Sequence, residues 1–321
     1  MKYKQLASHQ RYQISVLLKI GKSQTEIAEA LEVNKSTISR ELKRNKGKRG
    51  YRPKQAQEKA DQRKRVRIKH KINQETWKWV ERHLELDWSP EQICGYRKTN
   101  KMSSISHEWI YHYIYEDKAA GGKLWKHLRV QKGKKKRYGK QDRRGNLPNR
   151  VSIDERPMEV EEKERIGDWE VDTVVSKGRK QALVTLTDRK SRLILMKRIV
   201  DRTAISVKNS VIQLLEPFRE QTHTITCDNG KEFSLHEEIA QVLRTDVYFA
   251  HPYASWERGA NENANGLIRQ YFSKKMNFKD ISDEQVEIAM MRLNHRPRKC
   301  LEFKSPFMVF FQEIQSVALN T

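Results

Sequence analysis

Residues 167–175 read GDWEVDTVV, and their alternating pattern decides how the second half of the chain folds. Successive side chains of a strand point to opposite faces, so Glu170 and Asp172 share one face while Trp169 and Val171 share the other. An acidic residue at this spacing places a carboxylate on the surface of a sheet. The pattern therefore predicts a strand that presents Asp172 as a candidate functional group.

The segments that follow predict more strands and the helices between them. QALVTLTD at 181–188 and RLILMKRIV at 192–200 are β-rich runs separated by short turns, which implies antiparallel neighbours. A helical pattern, the strand HTITCDNG at 223–230, a second helix, the strand DVYFA at 246–250 and a final helix come next. This order predicts a mixed five-stranded sheet with helices on both faces.

Two further carboxylates occupy informative places in that order. Asp228 ends the fourth strand, at the edge where open α/β sheets usually hold their sites. Glu262 lies in GANENANG, residues 259–266, at the start of the final helix. Three converging carboxylates repel one another unless a cation lies between them, and hard divalent ions prefer oxygen ligands. From the residues alone, a metal site and the simpler interpretation as a turn and a helix start both remain open.

Charge separates the chain into two halves. The net charge of +24 falls entirely within residues 1–150, whereas residues 151–321 are balanced. A basic first half indicates binding to a polyanion, although a merely basic soluble surface is the alternative. The three scattered cysteines suggest neither a disulfide framework nor a zinc site. Without an apolar span or a secretory signal, we expect a cytoplasmic protein with no membrane partner.

Residues 23–45, SQTEIAEALEVNKSTISRELKRN, predict two short helices joined by a tight turn. Ser23 with Glu26 forms a capping box for the first helix, and Asn34 can cap the second. An inward apolar face on the second helix leaves small polar and basic side chains facing outward, as in a helix-turn-helix that enters the major groove. The predicted DNA contacts are Ser36, Thr37, Ser39, Arg40, Lys43 and Arg44.

The resulting fold class is multidomain, with an all-α helix-turn-helix region followed by an α/β catalytic core. A basic linker is expected on both sides of a second helical domain, which binds DNA or, alternatively, serves as a dimerisation or spacer bundle. The expected ranges are 1–50 for the helix-turn-helix domain, 51–71 for the first linker, 72–130 for the second helical domain, 131–157 for the second linker and 158–321 for the catalytic domain.

Several motifs in this order resemble one known family. GDWEVDTV, CDNGKEF, HPYASWERGANENANGLIRQYF and LNHRPRKCLEFKSP are similar to the integrase-type catalytic core of bacterial insertion-sequence transposases of the IS-thirty family, members of the DDE recombinase superfamily. The resemblance extends from the helix-turn-helix to the SPF segment. One departure is Val171, where a glycine is common in the family, on the face opposite Asp172.

The resemblance implies a ribonuclease-H-like core in which Asp172, Asp228 and Glu262 are catalytic and bind Mg²⁺, with two ions expected and Mn²⁺ as a substitute. Arg269 matches a position that contacts DNA in related recombinases, whereas Asp168 and Glu170 are secondary acids. The implied reaction is metal-dependent strand cleavage and strand transfer at DNA. The implied partners are double-stranded transposon ends and target DNA, bound by a homo-oligomer in the bacterial cytoplasm and nucleoid.

Two alternatives share the same motifs. A DNA-binding regulator would retain the fold with an inactive nuclease-like domain, and a metal-dependent nuclease would cut DNA without joining it. The presence of all three carboxylates disfavours the first. A tyrosine recombinase is disfavoured because no arginine, histidine and tyrosine arrangement in a helical catalytic domain is evident.

Overall fold

The computed structural model describes residues 5–47, 49–69, 72–129, 148–178, 180–252 and 254–319, with the backbone alone at 64–69, 255 and 317–319. The chain divides into two compact units, Met1–Lys78 and Trp79–Thr321. Within the described ranges, no helix is both long and apolar enough to cross a membrane.

The first unit is helical. Its helices are α1 (Ser8–Lys19), α2 (Gln24–Ala30), α3 (Lys35–Asn45) and α4 (Pro53–Lys69). Ile14, Ile27 and Ile38, one from each of the first three helices, form a core that excludes solvent. The caps are those that the sequence predicts: Ser23 and Glu26 form a capping box at α2, and the Asn34 side chain accepts a hydrogen bond from the Ser36 N–H at α3. Residues 24–45 therefore form the expected helix-turn-helix.

The segment expected to be the first basic linker, 51–71, is instead mostly helical. Helix α4 packs against α1 and α3, with Ala56 fully buried. The Arg11 guanidinium of α1 donates to the Gln57 side chain at 2.7 Å, which fixes the contact. The sequence did not predict this helix because the segment is dense in Lys and Arg and shows little apolar periodicity. Residues 70 and 71 lie outside the described residues.

The helices after the first unit belong to the same compact unit as the catalytic segment. They are α5 (Gln74–Glu85), which begins before the unit boundary, α6 (Pro90–Thr99) and α7 (His107–Ala119). Asp87 accepts hydrogen bonds from the Tyr271 hydroxyl at 2.8 Å and the Arg292 guanidinium at 3.0 Å. Residues 79–129, most of the range 72–130 that was expected to be a separate domain, thus pack on the catalytic core within one unit. Most of the second linker, 131–157, lies outside the described residues.

The second unit is built on one mixed sheet. Its strands are β1 (Val151–Ser152), β2 (Asp168–Val175), β3 (Ala182–Asp188), β4 (Ile194–Ile199), β5 (Thr224–Cys227) and β6 (Asp246–Phe249). The helices around it are α8 (Met158–Glu162), α9 (Ala204–Leu215), α10 (His236–Leu243), α11 (Gly259–Tyr271), α12 (Asp283–His295) and α13 (Pro306–Leu319).

The strand order is β1-β6-β5-β2-β3-β4. Strands β2, β3 and β4 form the predicted antiparallel meander, whereas β5 and β6 join parallel to β2, as expected of a ribonuclease-H-like core. The prediction of five strands was wrong, because β1 adds a sixth by pairing with β6. Two residues are too short to show a strand periodicity, and they lie in the segment expected to be a linker.

Apolar cores lie on both faces of the sheet. Trp169 and Val171 of β2 pack in the cluster with α9, α10 and α13, whereas Val174 packs in the cluster with α11 and α12. This division confirms the alternation predicted for β2. Asp172 consequently faces α11, the helix that carries Glu262.

Candidate active site

Asp172 and Asp228 come together because β2 and β5 are parallel neighbours. Glu170 pairs with Thr226 in the register of the two strands, so Asp228, two residues further along, reaches the level of Asp172. The backbone N–H groups of Thr173 and Gly230 donate to the two carboxylates at 2.8 and 2.9 Å, respectively. The sequence therefore places both acids at the same point on the sheet.

A guanidinium lies between the two aspartates. Arg258 Nη1 is 3.8 Å from Asp172 Oδ2, and Arg258 Nη2 is 3.7 Å from Asp228 Oδ2. Burial raises the pKa of Asp172, the Arg258 charge opposes this rise, and the Asp228 carboxylate adds to it. The pair offers the hard oxygen donors that Mg²⁺ and Mn²⁺ prefer. Since a cationic group already fits between the carboxylates, the donor set suits a cation.

Helix α11 is fastened to the sheet by two of its asparagines. The Asn265 side-chain amide donates to Asp172 Oδ2 at 2.7 Å, and its oxygen accepts from the Thr185 hydroxyl at 3.3 Å. Asn261 is fully buried, and its backbone N–H donates to Glu170 at 2.8 Å. The asparagines of GANENANG thus set the position of the helix on β2 and β3.

Glu262 lies in the first turn of α11 and is exposed. Asn265 follows it by three residues and lies on the same side of the helix, and Arg258 is the N-cap residue of α11. Both neighbours contact Asp172. Within the part of the chain that the structure describes, no three metal-binding side chains come close enough to form a cluster. The three-carboxylate set therefore stays a prediction, with two members adjacent and the third on the facing helix.

Glu170 has a role that the sequence did not reveal. Its side chain is almost fully buried and forms an ion pair with Arg189 at 2.8 Å, besides accepting the Asn261 N–H. Arg189 also donates to the backbone oxygens of Val160 at 3.0 Å and Glu257 at 3.2 Å. This pair ties the start of α11 to β2. The sequence did show that Glu170 shares a strand face with Asp172. It did not show the buried partner, because Arg189 lies in the turn after β3.

Asp168 and Arg269 are likewise engaged in the structure. Asp168 is buried, accepts from the Thr224 hydroxyl at 2.8 Å and contacts Arg165 at 3.1 Å. The Arg269 guanidinium donates to the Val175 carbonyl at 2.9 Å, and burial lowers its pKa. Arg269 therefore anchors α11 to the end of β2, and its contact with DNA stays a prediction.

The predicted DNA contacts of α3 lie on its outer face. Ser36, Ser39, Arg40, Lys43 and Arg44 are exposed, and Thr37 is half-buried. The inner face is held by a buried ion pair between Glu41 and Arg11 at 2.9 Å. The geometry keeps the basic face of α3 accessible.

Comparisons with known proteins agree with these features. A family model described as a helix-turn-helix domain matches residues 2–45. The chain is 45% identical over 316 residues to the transposase for insertion sequence element IS4351 of Bacteroides fragilis, with 97% of each chain covered. It is 35% identical to the transposase InsI for insertion sequence element IS30A of Escherichia coli K12, covering 94% of this chain and 82% of the relative. The chain belongs to the IS-thirty family of insertion-sequence transposases.

A further relative within this family is the transposase for insertion sequence element IS1086 of Cupriavidus metallidurans. It is 35% identical, with 97% of this chain and 95% of the relative covered. Among solved structures, the catalytic core domain of BIV integrase is a distant match, with 19% identity and a TM-score of 0.39 over 47% of this chain and 98% of that domain.

Proposed function

We propose that this protein is a DNA transposase that binds the ends of an insertion sequence and catalyses strand cleavage and strand transfer. The observation that supports this most strongly is the adjacency of Asp172 and Asp228 around one cationic position, beneath the helix that carries Glu262. In an enzyme of the transposase family, this is the arrangement that phosphodiester chemistry requires.

The three carboxylates Asp172, Asp228 and Glu262 would hold Mg²⁺ or Mn²⁺, with two ions expected. When bound, such ions lower the pKa of a water or hydroxyl and stabilise charge on a leaving oxygen. Asn265 orients the Asp172 carboxylate through its amide, and the Gly230 N–H orients Asp228. The Glu170 and Arg189 pair keeps the start of α11 against β2. The chain thereby supplies a preorganised acidic site.

Cleavage and joining need no covalent protein intermediate. In cleavage, the oxygen of water bonds to phosphorus, the bond to the 3′ oxygen breaks, and that oxygen takes a proton to become a 3′-hydroxyl. In strand transfer, this hydroxyl loses its proton and bonds to the phosphorus of a target strand, whose own 3′ oxygen leaves. Cleavage hydrolyses one phosphodiester, and strand transfer exchanges one phosphodiester for another, so neither step requires an external energy source.

The first unit would recognise the ends. In this proposal, Ser36, Thr37, Ser39, Arg40, Lys43 and Arg44 of α3 contact DNA, and Arg269 adds a contact in the catalytic unit. A homo-oligomer on DNA would hold two ends together, because joining requires both ends of the element near one target. The excess basic charge of residues 1–150 would strengthen binding in a salt-dependent manner.

A joining assay tests the proposal. The full chain is incubated with Mg²⁺ and DNA carrying the element's ends, and Asp228→Asn is compared with the wild type. Asp283→Asn is the matched control, because Asp283 is an exposed aspartate on α12. We expect joined products from the wild type and the control but not from Asp228→Asn. Cut ends without joined products would support a nuclease, and DNA binding without cleavage would support a regulator.

A further inference from the structure

Arg258 is held between the two aspartates by charge rather than by hydrogen bonds to them. Its distances of 3.8 and 3.7 Å to Asp172 and Asp228 exceed the range of a hydrogen bond. Among the described residues, its guanidinium donates a hydrogen bond to the Val171 carbonyl at 3.3 Å. Within the described residues, its buried Nε has no hydrogen-bond partner. The guanidinium thus lies between the two carboxylates without a hydrogen bond to either of them.

Arg189, the other arginine beside the site, is held by several hydrogen bonds. Arg189 donates hydrogen bonds to Glu170, Glu161 and two backbone carbonyls at distances from 2.8 to 3.2 Å. Its contacts fix it as a structural cation of the fold. Arg258 lacks an equivalent set of contacts within the part of the chain that the structure describes, and it lies at the end of the 3₁₀ helix Ser255–Arg258, just before α11. Of these two arginines, Arg258 is the one that can leave its position at small cost.

The charge of the site explains why a cation must be present. Asp172 is half-buried, and the adjacent Asp228 carboxylate would repel it in the absence of a positive group. Arg258 supplies one positive charge close to both carboxylates. A divalent ion would balance the pair fully, and it would need the space between the same oxygens. Arg258 and such an ion therefore exclude each other.

We propose that Arg258 is an exchangeable counter-ion of Asp172 and Asp228, which neutralises the pair in the free protein and competes with a divalent cation for it. This inference rests on the proposed function only in requiring that a metal bind these aspartates. It assigns Arg258 as a positioning residue: it preserves the spacing of the carboxylates until the ion arrives. Its competition also weakens metal binding in the absence of DNA.

The test measures metal binding rather than catalysis. Mn²⁺ is titrated into the full chain without DNA, and free Mn²⁺ is followed by electron paramagnetic resonance. The variants are Arg258→Met, which removes the charge and retains an unbranched side chain, and Arg258→Lys, whose compact ammonium can approach only one carboxylate closely. Arg198→Met is the matched control for the loss of one positive charge, because Arg198 lies on the outer strand β4 and pairs with the exposed Asp283 of α12.

A neighbouring opposite charge changes the proton affinity of a carboxylate by about 10- to 1000-fold, and we expect a similar competition for Mn²⁺. Arg258→Met should bind Mn²⁺ at least about tenfold more tightly than the wild type. Arg258→Lys should fall between the two, and Arg198→Met should match the wild type. Adding Asp228→Asn to Arg258→Met should abolish the gain, which locates it at the aspartate pair.

Thermal unfolding separates competition from a purely structural role. Without metal, Arg258→Met should unfold at a lower temperature than the wild type, and Mn²⁺ should raise its unfolding temperature more. A structural role alone would give the first effect without tighter metal binding. Equal or weaker Mn²⁺ affinity in folded Arg258→Met, with wild-type joining intact, would overturn this inference alone. No Mn²⁺ binding by either protein would overturn it together with the proposed metal site.

Discussion

The pair formed by Glu170 and Arg189 should contribute strongly to the stability of the catalytic unit. Replacing Glu170 by Ala removes the carboxylate that balances a guanidinium with a side-chain exposure of 4%, and it leaves the Asn261 N–H without its acceptor. Breaking a buried ion pair by removing one partner costs about 3–5 kcal/mol. Since Glu161 also contacts Arg189, the lower part of this range is the more appropriate expectation.

Thermal unfolding of the full chain, followed by tryptophan fluorescence, measures this loss. Trp169 is fully buried on the same strand and therefore reports on the affected unit. In a unit of this size, each kcal/mol lowers the unfolding temperature by about 2–4 °C, so a loss of about 3 kcal/mol corresponds to about 6–12 °C. Glu170→Gln should lose less, because the amide oxygen can still accept the Asn261 N–H.

The matched control removes an exposed ion pair from the same unit. Asp283 pairs with Arg198 at 3.0 Å, but its side chain is 76% exposed. Exposed pairs contribute about 0–1 kcal/mol, so Asp283→Ala should unfold close to the wild-type temperature. If Glu170→Ala loses no more stability than Asp283→Ala, the proposed anchoring of α11 through Glu170 is incorrect.

Three other changes test separate parts of the molecule. Gly167→Ala should cost more than about 3 kcal/mol in urea denaturation, because φ is +91° and the new Cβ would lie 1.6 Å from the Gln221 carbonyl oxygen; wild-type stability would contradict this. Burial raises the pKa of Asp188 from 3.8 to about 6, so wild-type stability should fall by about 3 kcal/mol relative to Asp188→Asn as the pH rises from about 4 to about 7; parallel pH profiles would refute the assignment. Arg40→Ala should weaken binding to the element's ends, whereas Lys19→Ala on α1 should not; equal affinities in a gel-shift titration would exclude Arg40 as a contact.

Local sequence patterns correctly predicted helix starts and strand faces, because these depend on residues that are close together in the sequence. The caps at Ser23 and Asn34 act within a single turn, so their residue types indicate helix starts directly. The alternation in β2 likewise places Asp172 on the face opposite Trp169, as the structure confirms. The place of Asp228 beside Asp172 depends on the parallel pairing of β5 with β2, which is made after the α9 crossover and not through a short turn.

The contacts that complete the site could not be predicted in the same way. Arg258 reaches Asp172 and Asp228 only after three separate segments have packed together. The sequence predicted only a secondary role for Glu170, because its partner Arg189 lies in the turn after β3. Helix spacing offered one usable signal: Asn265 follows Glu262 by three residues and therefore lies on the same side of α11, where it contacts Asp172.

The docking of residues 79–129 on the catalytic core was also hidden from the sequence. It depends on single polar contacts such as Asp87 with Tyr271, and on the Phe303 ring filling the space beside Gly95. A larger side chain at Gly95 would clash with that ring. Neither contact produces a periodic pattern in the sequence, so the sequence predicted that these helices form a separate domain.

The role of Glu262 tests the central proposal most directly, because within the described residues its carboxylate forms no cluster with those of Asp172 and Asp228. The measurement is single-turnover cleavage of element-end DNA in Mg²⁺ by the wild type, Glu262→Gln and Glu284→Gln. Glu284 is the matched control, since it is also exposed and in the first turn of its helix, α12. We predict that Glu262→Gln lowers the cleavage rate by at least about 100-fold, as the loss of a group that stabilises transition-state charge does, while Glu284→Gln retains the wild-type rate. Equal rates for Glu262→Gln and Glu284→Gln would contradict a three-carboxylate active site.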